Sequence, residues 1–365
     1  MRIAIVTDAW YPQVNGVVTT LTHTRRTLAE WGHDVAVLTP AGHLTLPCPT
    51  YPEIKLAVLP DRKLRAVLKS TEPDAVHIAT EGPLGLAANR ICRRTGLAFT
   101  TSYHTQFPQY VAKRLPVPES WSYAFLRRHH GAAQRTMVAT ESQRLELLRN
   151  GFRDVVIWPR GVDAAQFRPR GREHLRLERP IWMYVGRLAV EKNLEAFLEL
   201  GLPGTKVLVG EGPDRRSLEG RFPAARFIGY KFGDELAELL SSADVFVFPS
   251  RTDTFGLVML EAMGCGTPVA AFPVTGPVDV VEHGVTGFLD EDLEAAALAA
   301  LQLDRAACRA AAVERSWSAA TGRFLEHLVA SRSGSDLVAG VYPAGSGRQT
   351  LRTSCRPPTP VMQNS

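Results

Sequence analysis

Two carboxylates stand eight positions apart in one stretch, Phe248–Gly264, which reads FPSRTDTFGLVMLEAMG. The stretch starts as an apolar run ending at Pro249 and passes through a polar loop, Ser250–Thr254. It continues as a helix carrying Leu257, Leu260 and Glu261. Asp253 therefore falls in the loop and Glu261 two turns into the helix. The helix start, at Phe255 and Gly256, offers free backbone N–H groups and the positive end of a dipole, which together hold anions. A helix start flanked by acids suits an anion that carries hydroxyls, such as the diphosphate, ribose and sugar of a sugar nucleotide. Asp253, Thr254, Phe255, Gly256 and Glu261 are the candidate contacts.

Two cations complete such a grip. YVGRLAVEKN places Gly186, Arg187 and Lys192 just after the apolar run Ile181–Val185. Gly186 permits a close backbone approach. Cations converging on one point suit a diphosphate whose charge grows as its bond to the sugar breaks. A solvated basic turn beside Glu191 is the competing reading. Gly210-Glu211-Gly212 repeats the strand–glycine–helix arrangement. Gly229-Tyr230-Lys231 repeats it again, where Tyr230 and Lys231 can line a nucleobase pocket.

The first half offers an opposing set. DAWYPQVNG ends in Asn15-Gly16 at a predicted helix start, a second place for an anion or a close backbone contact. It is not a G-x-G-x-x-G fingerprint, which argues against a dinucleotide-dependent oxidoreductase. His104 lies just past a predicted strand end, where it faces any cleft at that edge. There it can donate to a hydroxyl or phosphate oxygen near neutral pH. Spacing alone also fits a structural histidine.

These residues need a scaffold, and the hydrophobic pattern describes one. Short apolar runs at Ile3–Val6, Val35–Leu38, Ile54–Val58, Ala75–Ile78, Ala98–Ser102, Thr136–Ala139 and Val155–Ile157 alternate with helical periods such as Val17–Trp31, Pro83–Thr95, Trp121–His130 and Ser142–Asn150. That alternation predicts a parallel sheet covered on both faces. A basic, Pro- and Gly-punctuated stretch from Pro159 to Pro180 reads as a linker. The pattern then restarts with strands at Ile181–Val185, Lys206–Val209, Arg226–Ile228, Val245–Phe248, Pro268–Phe272 and Gly287–Leu289. Helices at Asp292–Leu301, Arg305–Glu314 and Trp317–Ala330 close it. The expected division is therefore 1–165, 166–330 and a Ser-, Gly-, Pro- and Arg-rich tail, 331–365, read as disordered. Ligands bind at the carboxyl ends of such strands, so two sheet edges facing each other form a cleft for two substrates.

Composition excludes several classes. The 365 residues are 45% hydrophobic and 22% charged, ordinary for two globular domains. No apolar run reaches the length of about 18 that a membrane-crossing helix needs. The start, MRIAIVTDAWYP, reads as a first buried strand rather than a signal peptide. Five cysteines lack C-x-x-C spacing, which fits unpaired thiols in a reducing compartment and no metal site. Residues 1–165 hold 20 Lys/Arg against 13 Asp/Glu, whereas residues 166–330 hold 18 against 23. The basic half suits an acidic acceptor or an anionic membrane surface. Its basic residues form no recognisable nucleic-acid module. In Gln109–His130, Lys113, Arg114, Arg127 and Arg128 accompany Tyr110, Trp121, Tyr123 and Phe125. That mixture fits an acceptor or membrane-facing surface, and equally a buried helix with a solvated basic face.

In order along the chain, VNGV at Val14–Val17, YVGRLAVEKN at Tyr184–Asn193, VGEGP at Val209–Pro213, ADVFVFPSRTDTFGLVMLEAMGCGTPV at Ala243–Val269 and GVTGFL at Gly284–Leu289 resemble glycosyltransferase family 4 over Met1 to about Ala330. The resemblance implies an α/β chain with the GT-B architecture, two facing Rossmann-like domains with parallel sheets and a deep cleft between them. It implies that Arg187 and Lys192 bind the donor diphosphate, that Glu261 holds the ribose hydroxyls and that His104 meets the donor sugar. The family's first acid is a glutamate; here it is Asp253, one methylene shorter. TDAWYPQVNGV, HIATEGPLG, TSYHTQF and SRTDTFG further resemble a lipid-directed branch that includes GDP-mannose-dependent α-mannosyltransferases and glycolipid synthases. The implied activity is retaining, metal-independent and cofactor-free transfer of a hexose, mannose favoured, from a nucleotide-diphosphate sugar to a lipid or glycan hydroxyl. The implied setting is cytoplasmic, peripheral on the inner face of the cell membrane. A GT-B epimerase, which consumes sugar nucleotide without an acceptor, and a non-catalytic sugar-nucleotide-binding protein are the rival classes.

Overall fold

A computed structural model describes residues 1–48, 51–104 and 118–330 of the chain. These residues belong to one compact unit containing two six-stranded sheets. The first sheet uses β1 (Arg2–Val6), β2 (Asp34–Leu38), β5 (Ala75–Ile78), β6 (Thr100–Ser102), β7 (Arg135–Val138) and β8 (Val155–Ile157), in the order β2-β1-β5-β6-β7-β8. The second uses β9 (Ile181–Val185), β10 (Thr205–Val209), β11 (Arg226–Gly229), β12 (Val245–Phe248), β13 (Val269–Ala271) and β14 (Gly287–Leu289), in the order β11-β10-β9-β12-β13-β14. Every pairing in both sheets is parallel. Parallel strands are covered on both faces, so their sequences run apolar throughout. All four residues of β12, VFVF, are buried accordingly.

The strand order reverses between β1 and β5 in the first sheet and between β9 and β12 in the second. Crevices open at the carboxyl ends of strands at such switch points. β9 and β12 lie side by side, with Val245 opposite Trp182 and Phe246 opposite Met183. The loops leaving them, which carry Arg187, Lys192 and Asp253, therefore emerge as neighbours.

Helix ends are finished by local chemistry. Asn15 accepts from Val17 and Val18 N–H at 3.1 and 3.0 Å and caps the helix Gly16–Glu30. Pro83 opens the next long helix, Pro83–Thr95. Its first N–H groups are satisfied from a distance, because Asp8 accepts from Leu84 at 2.9 Å and Gly85 at 3.2 Å.

The structure departs from the sequence pattern in three places. Residues of the predicted strand Ile54–Val58 lie outside the parallel sheet. They belong to a two-stranded antiparallel hairpin, β3 (Thr45–Cys48) with β4 (Tyr51–Ala57). The helix Asp61–Thr71, which buries Leu64 and Leu68, follows it and was not expected. The last helix, Trp317–His327, follows the second sheet in sequence, yet Phe324 packs with Ile3, Ile5 and Trp158 in the core of the first. The closing helix of the expected 166–330 unit thus packs on the first sheet. The returning chain binds the crossing segment, with Val162 N–H donating to the Arg315 carbonyl at 2.8 Å. The tail 331–365 lies outside the described residues.

Candidate active site

The loop after β9 is tied to the loop after β12 before any side chain meets a ligand. Asn193 Nδ2 donates to the Pro249 carbonyl at 3.1 Å. The hydroxyls of Ser250 and Thr252 donate to the Glu191 carbonyl at 3.4 and 3.3 Å. The buried Tyr184 phenol donates to the Arg187 carbonyl at 3.1 Å and supports the same loop from below. These ties bring Lys192 Nζ to 2.6 Å from Asp253 Oδ1, with each side chain 22% exposed. The second oxygen, Asp253 Oδ2, is buried without a hydrogen-bond partner among the described residues. Arg187 is half-buried on the same loop.

Backbone packing at this edge depends on glycine. At Gly210, φ is +145°, and a Cβ there would stand 1.9 Å from the Gly186 carbonyl oxygen. Gly210→Ala is expected to destabilise the protein by about 3 kcal/mol, from strain and backbone collision together. A urea titration reads this as a lowered midpoint with an unchanged slope; an unchanged midpoint would contradict the packing described here.

Past Asp253, Gly256 adopts φ +81° and ends the loop, and the helix runs Leu257–Gly264. The start expected at Phe255 thus shifts on to Leu257, because Phe255 is anchored in the core. Among the described residues no side chain caps this helix, so an anion meets no competing side-chain acceptor at its start. Glu261 is half-buried, and its carboxylate makes no hydrogen bond to the described residues. Burial pushes its carboxyl up to about 7, since desolvation penalises the charged form.

The first sheet supplies the opposite wall. Thr254 Oγ1 donates to the His104 carbonyl at 2.8 Å, so the Asp253 loop touches the strand end after β6. A Cβ on Gly16 would lie 3.5 Å from Leu257 Cδ1, which brings the starts of the two helices together. Away from the site, Ser142 N–H donates to Asp279 Oδ1 at 3.0 Å and the Ser142 hydroxyl donates to the same carboxylate. His104 Nδ1 receives a hydrogen bond from Arg160 Nη2 at 3.1 Å, while Nε2 is buried and has no partner among the described residues. Burial first, then the Arg160 charge and the rings of His77 and His130, hold His104 well below its usual pKa. It is a neutral donor here rather than a cation. Sequence reasoning missed Arg160, which read as one charge of the linker.

Several candidates serve the framework rather than an open cleft. The Asn15 amide caps its helix and also donates to Gln13 at 3.2 Å. Glu211 pairs with Arg215, and Lys231 with Glu235 at 3.2 Å. Arg127 donates to the Asn150 carbonyl at 2.9 Å. Tyr230 remains 42% exposed and stacks on Phe232, itself 54% exposed, with centroids 5.7 Å apart. Phe232 was missed, though its place three residues past a strand-ending glycine is readable. Trp121, Phe125 and Arg128 lie exposed on the helix Glu119–His130. Tyr110, Lys113 and Arg114 lie outside the described residues.

Two facing parallel sheets, with cations, acids and a bare helix start at the switch point of one, define the GT-B class of glycosyltransferases. The pattern described as Glycosyltransferase Family 4 matches residues 14–166, and that described as Glycosyl transferases group 1 matches 179–304. A GDP-mannose-dependent alpha-mannosyltransferase of Mycobacterium tuberculosis is 34% identical over 79% of this chain and 83% of its own. A GDP-mannose-dependent alpha-(1-6)-phosphatidylinositol dimannoside mannosyltransferase of the same species is 28% identical over 77% of this chain and 82% of its own. The fold matches sucrose-phosphate synthase from Thermosynechococcus elongatus with a TM-score of 0.70 at 22% identity, covering 89% of this chain and 97% of that one. The chain belongs to glycosyltransferase family 4, and it is an enzyme that transfers a sugar from a nucleotide-sugar donor.

Proposed function

We propose that the protein transfers mannose from GDP-mannose to a lipid hydroxyl at a membrane surface, with retention at the anomeric carbon and without a metal or cofactor. The observation that carries this reading is the Lys192–Asp253 pair at the switch point, with Asp253 Oδ2 and the Glu261 carboxylate beside it unpartnered among the described residues. The relatives named for GDP-mannose support the choice of sugar. The phosphatidylinositol dimannoside acceptor in one relative's name supports a lipid. Trp121 and Phe125, 70% and 42% exposed one helical turn apart with Arg128 beyond them, offer an apolar and basic face to a bilayer. Under this reading residues 1–165 hold the acceptor and 166–330 the donor, and the enzyme works in the cytoplasm on the inner face of the membrane.

Under the same reading each site residue has a role. Glu261 accepts from the ribose hydroxyls, and the Tyr230–Phe232 pair gives the base an aromatic surface. Arg187, Lys192 and the N–H groups at the helix start bind the diphosphate. Asp253 Oδ2 accepts from a sugar hydroxyl, and the neutral His104 donates to the sugar from the other wall. The bond from the anomeric carbon to the phosphate oxygen breaks as negative charge collects on the diphosphate, where the cations stabilise it. The acceptor oxygen attacks from the same face, and its proton passes to the departing phosphate oxygen.

The test gives the purified protein GDP-mannose with radiolabelled mannose and vesicles of phosphatidylinositol or diacylglycerol. Label is expected in the lipid extract, in alpha linkage, with divalent ions chelated. Label only in water, or stronger thermal stabilisation by UDP or ADP than by GDP, would reject the assignment. The vesicle arm is read by sedimentation at low salt, where Trp121→Ser and Phe125→Ser should each release protein from anionic vesicles.

A further inference from the structure

Arg160 is an unusual group to find beneath a sugar site. It is 5% exposed, and its ordinary carboxylate partner is absent among the described residues. Instead Nη1 donates to the carbonyls of Trp158 and Pro159 at 2.5 and 3.2 Å. The guanidinium carbon stands 4.6 Å from the Trp158 ring centroid, and Nη2 donates to His104 Nδ1. Burying a cation costs several kcal/mol unless something compensates, and burial lowers this guanidinium to about 9. At neutral pH it still holds its proton. An arginine has no acceptor atom. The His104 nitrogen facing it must therefore be the bare one, and the ring proton must sit on Nε2. That nitrogen is buried and has no hydrogen-bond partner among the described residues, and the His104 backbone is tied to the donor loop by Thr254. The Trp158 ring also meets the His104 ring edge-on at 5.8 Å, which limits its rotation.

We propose that Arg160 is a positioning residue for transfer: it fixes His104 as the neutral Nε2–H tautomer, so that the ring presents a single hydrogen-bond donor to the sugar. The role rests on the reading of His104 as a contact of the donor sugar. The arginine is itself held in place, because the next residues lie against the returning chain through Val162 and Arg315. Loss of the guanidinium frees Nδ1 to take the proton. The ring then divides between two tautomers, and one of them turns a lone pair towards the sugar. Transfer weakens while the nucleotide, gripped by the second sheet, stays bound.

The test uses the full chain labelled with ¹⁵N-histidine, as wild type, Arg160→Met and Arg160→Gln. In the wild type at pH 7.5, His104 should show the neutral pattern with the proton on Nε2, unchanged by GDP-mannose. In Arg160→Met that pattern should split or move to Nδ1. The kcat with GDP-mannose and lipid vesicles should fall about thirtyfold, with GDP affinity unchanged within twofold. Arg160→Gln keeps a neutral N–H donor and should recover both the tautomer and most of the rate. A wild-type His104 carrying its proton on Nδ1, or on both nitrogens, overturns the proposal even if a variant fails to fold. So does an Arg160→Met variant with the wild-type tautomer, or equal loss in Gln and Met. Absence of turnover on GDP-mannose in the wild type rejects the donor assignment, while the NMR spectra still decide the tautomer.

Discussion

Lys192→Ala is expected to lower kcat/KM about a thousandfold and leave the protein folded. Loss of one preorganised group at developing charge costs two to three orders of magnitude, about 3–4 kcal/mol at the transition state. Lys192 combines that position with partial burial and a hydrogen bond of 2.6 Å to Asp253. The same bond predicts a stability signature. With the ammonium gone, Asp253 has neither oxygen paired in a largely buried place, and the folded state loses about 1 kcal/mol. Adding Asp253→Asn removes the orphaned charge, so the double variant should regain stability without regaining activity. That split separates the two roles of the lysine. Activity in Lys192→Ala within tenfold of wild type would remove it from the site. A melting temperature that the second substitution leaves unmoved would show that the pair carries no structural weight.

The second large effect belongs to Glu261. Glu261→Ala should weaken GDP binding about a hundredfold, as expected for the loss of two hydrogen bonds to an ionised carboxylate at about 1.5 kcal/mol each. Transfer should be abolished at ordinary donor concentrations. The pH dependence is more diagnostic than the size. Burial holds this carboxyl at about 7, and hydroxyl donors favour its ionised form. GDP affinity should therefore be flat above about pH 8 and fall up to tenfold per pH unit below 7. Glu261→Gln should bind weakly with no such slope. Stability of the unliganded protein runs the other way. The folded pKa is raised from 4.5 to about 7, so this group's contribution is fully present below about 4.5 and is lost as pH rises through about 7. Calorimetry from pH 5.5 to 8.5 measures both, and a GDP affinity that is flat with pH would dismiss Glu261 as the ribose clamp.

Much of the fold was legible in the amino acids. Runs such as Ile3–Val6, Ile181–Val185 and Val245–Phe248 are apolar on both faces, and only strands buried on both sides read so. The helix starts at Asn15-Gly16 and past the Asp253 loop were legible to within two residues because turn and helix-start signals act locally, though Asn15's part as a cap was not read. Elements whose state depends on distant partners were not. The hairpin Thr45–Ala57 carries too little apolar alternation to declare itself, whereas the helix Asp61–Thr71, with Leu64, Val67 and Leu68 at helical spacing, was readable and was missed. The last helix follows the second domain in sequence and packs on the first, a choice that apolar stripes alone do not make.

The sequence by itself determined the chemical inventory: two acids at a set spacing about a helix start, two cations after a neighbouring strand, and a histidine at an opposing edge. Each depends on residues only a few positions apart, where backbone geometry is local. The tertiary structure alone decided how those groups are charged and paired. It placed Lys192 on Asp253 from 61 positions away and Arg160 on His104 from 56. It left the Glu261 carboxyl unpartnered among the described residues and raised to about 7. Desolvation and long-range contact exist only once two sheets have closed around a cleft, so no local pattern can carry them.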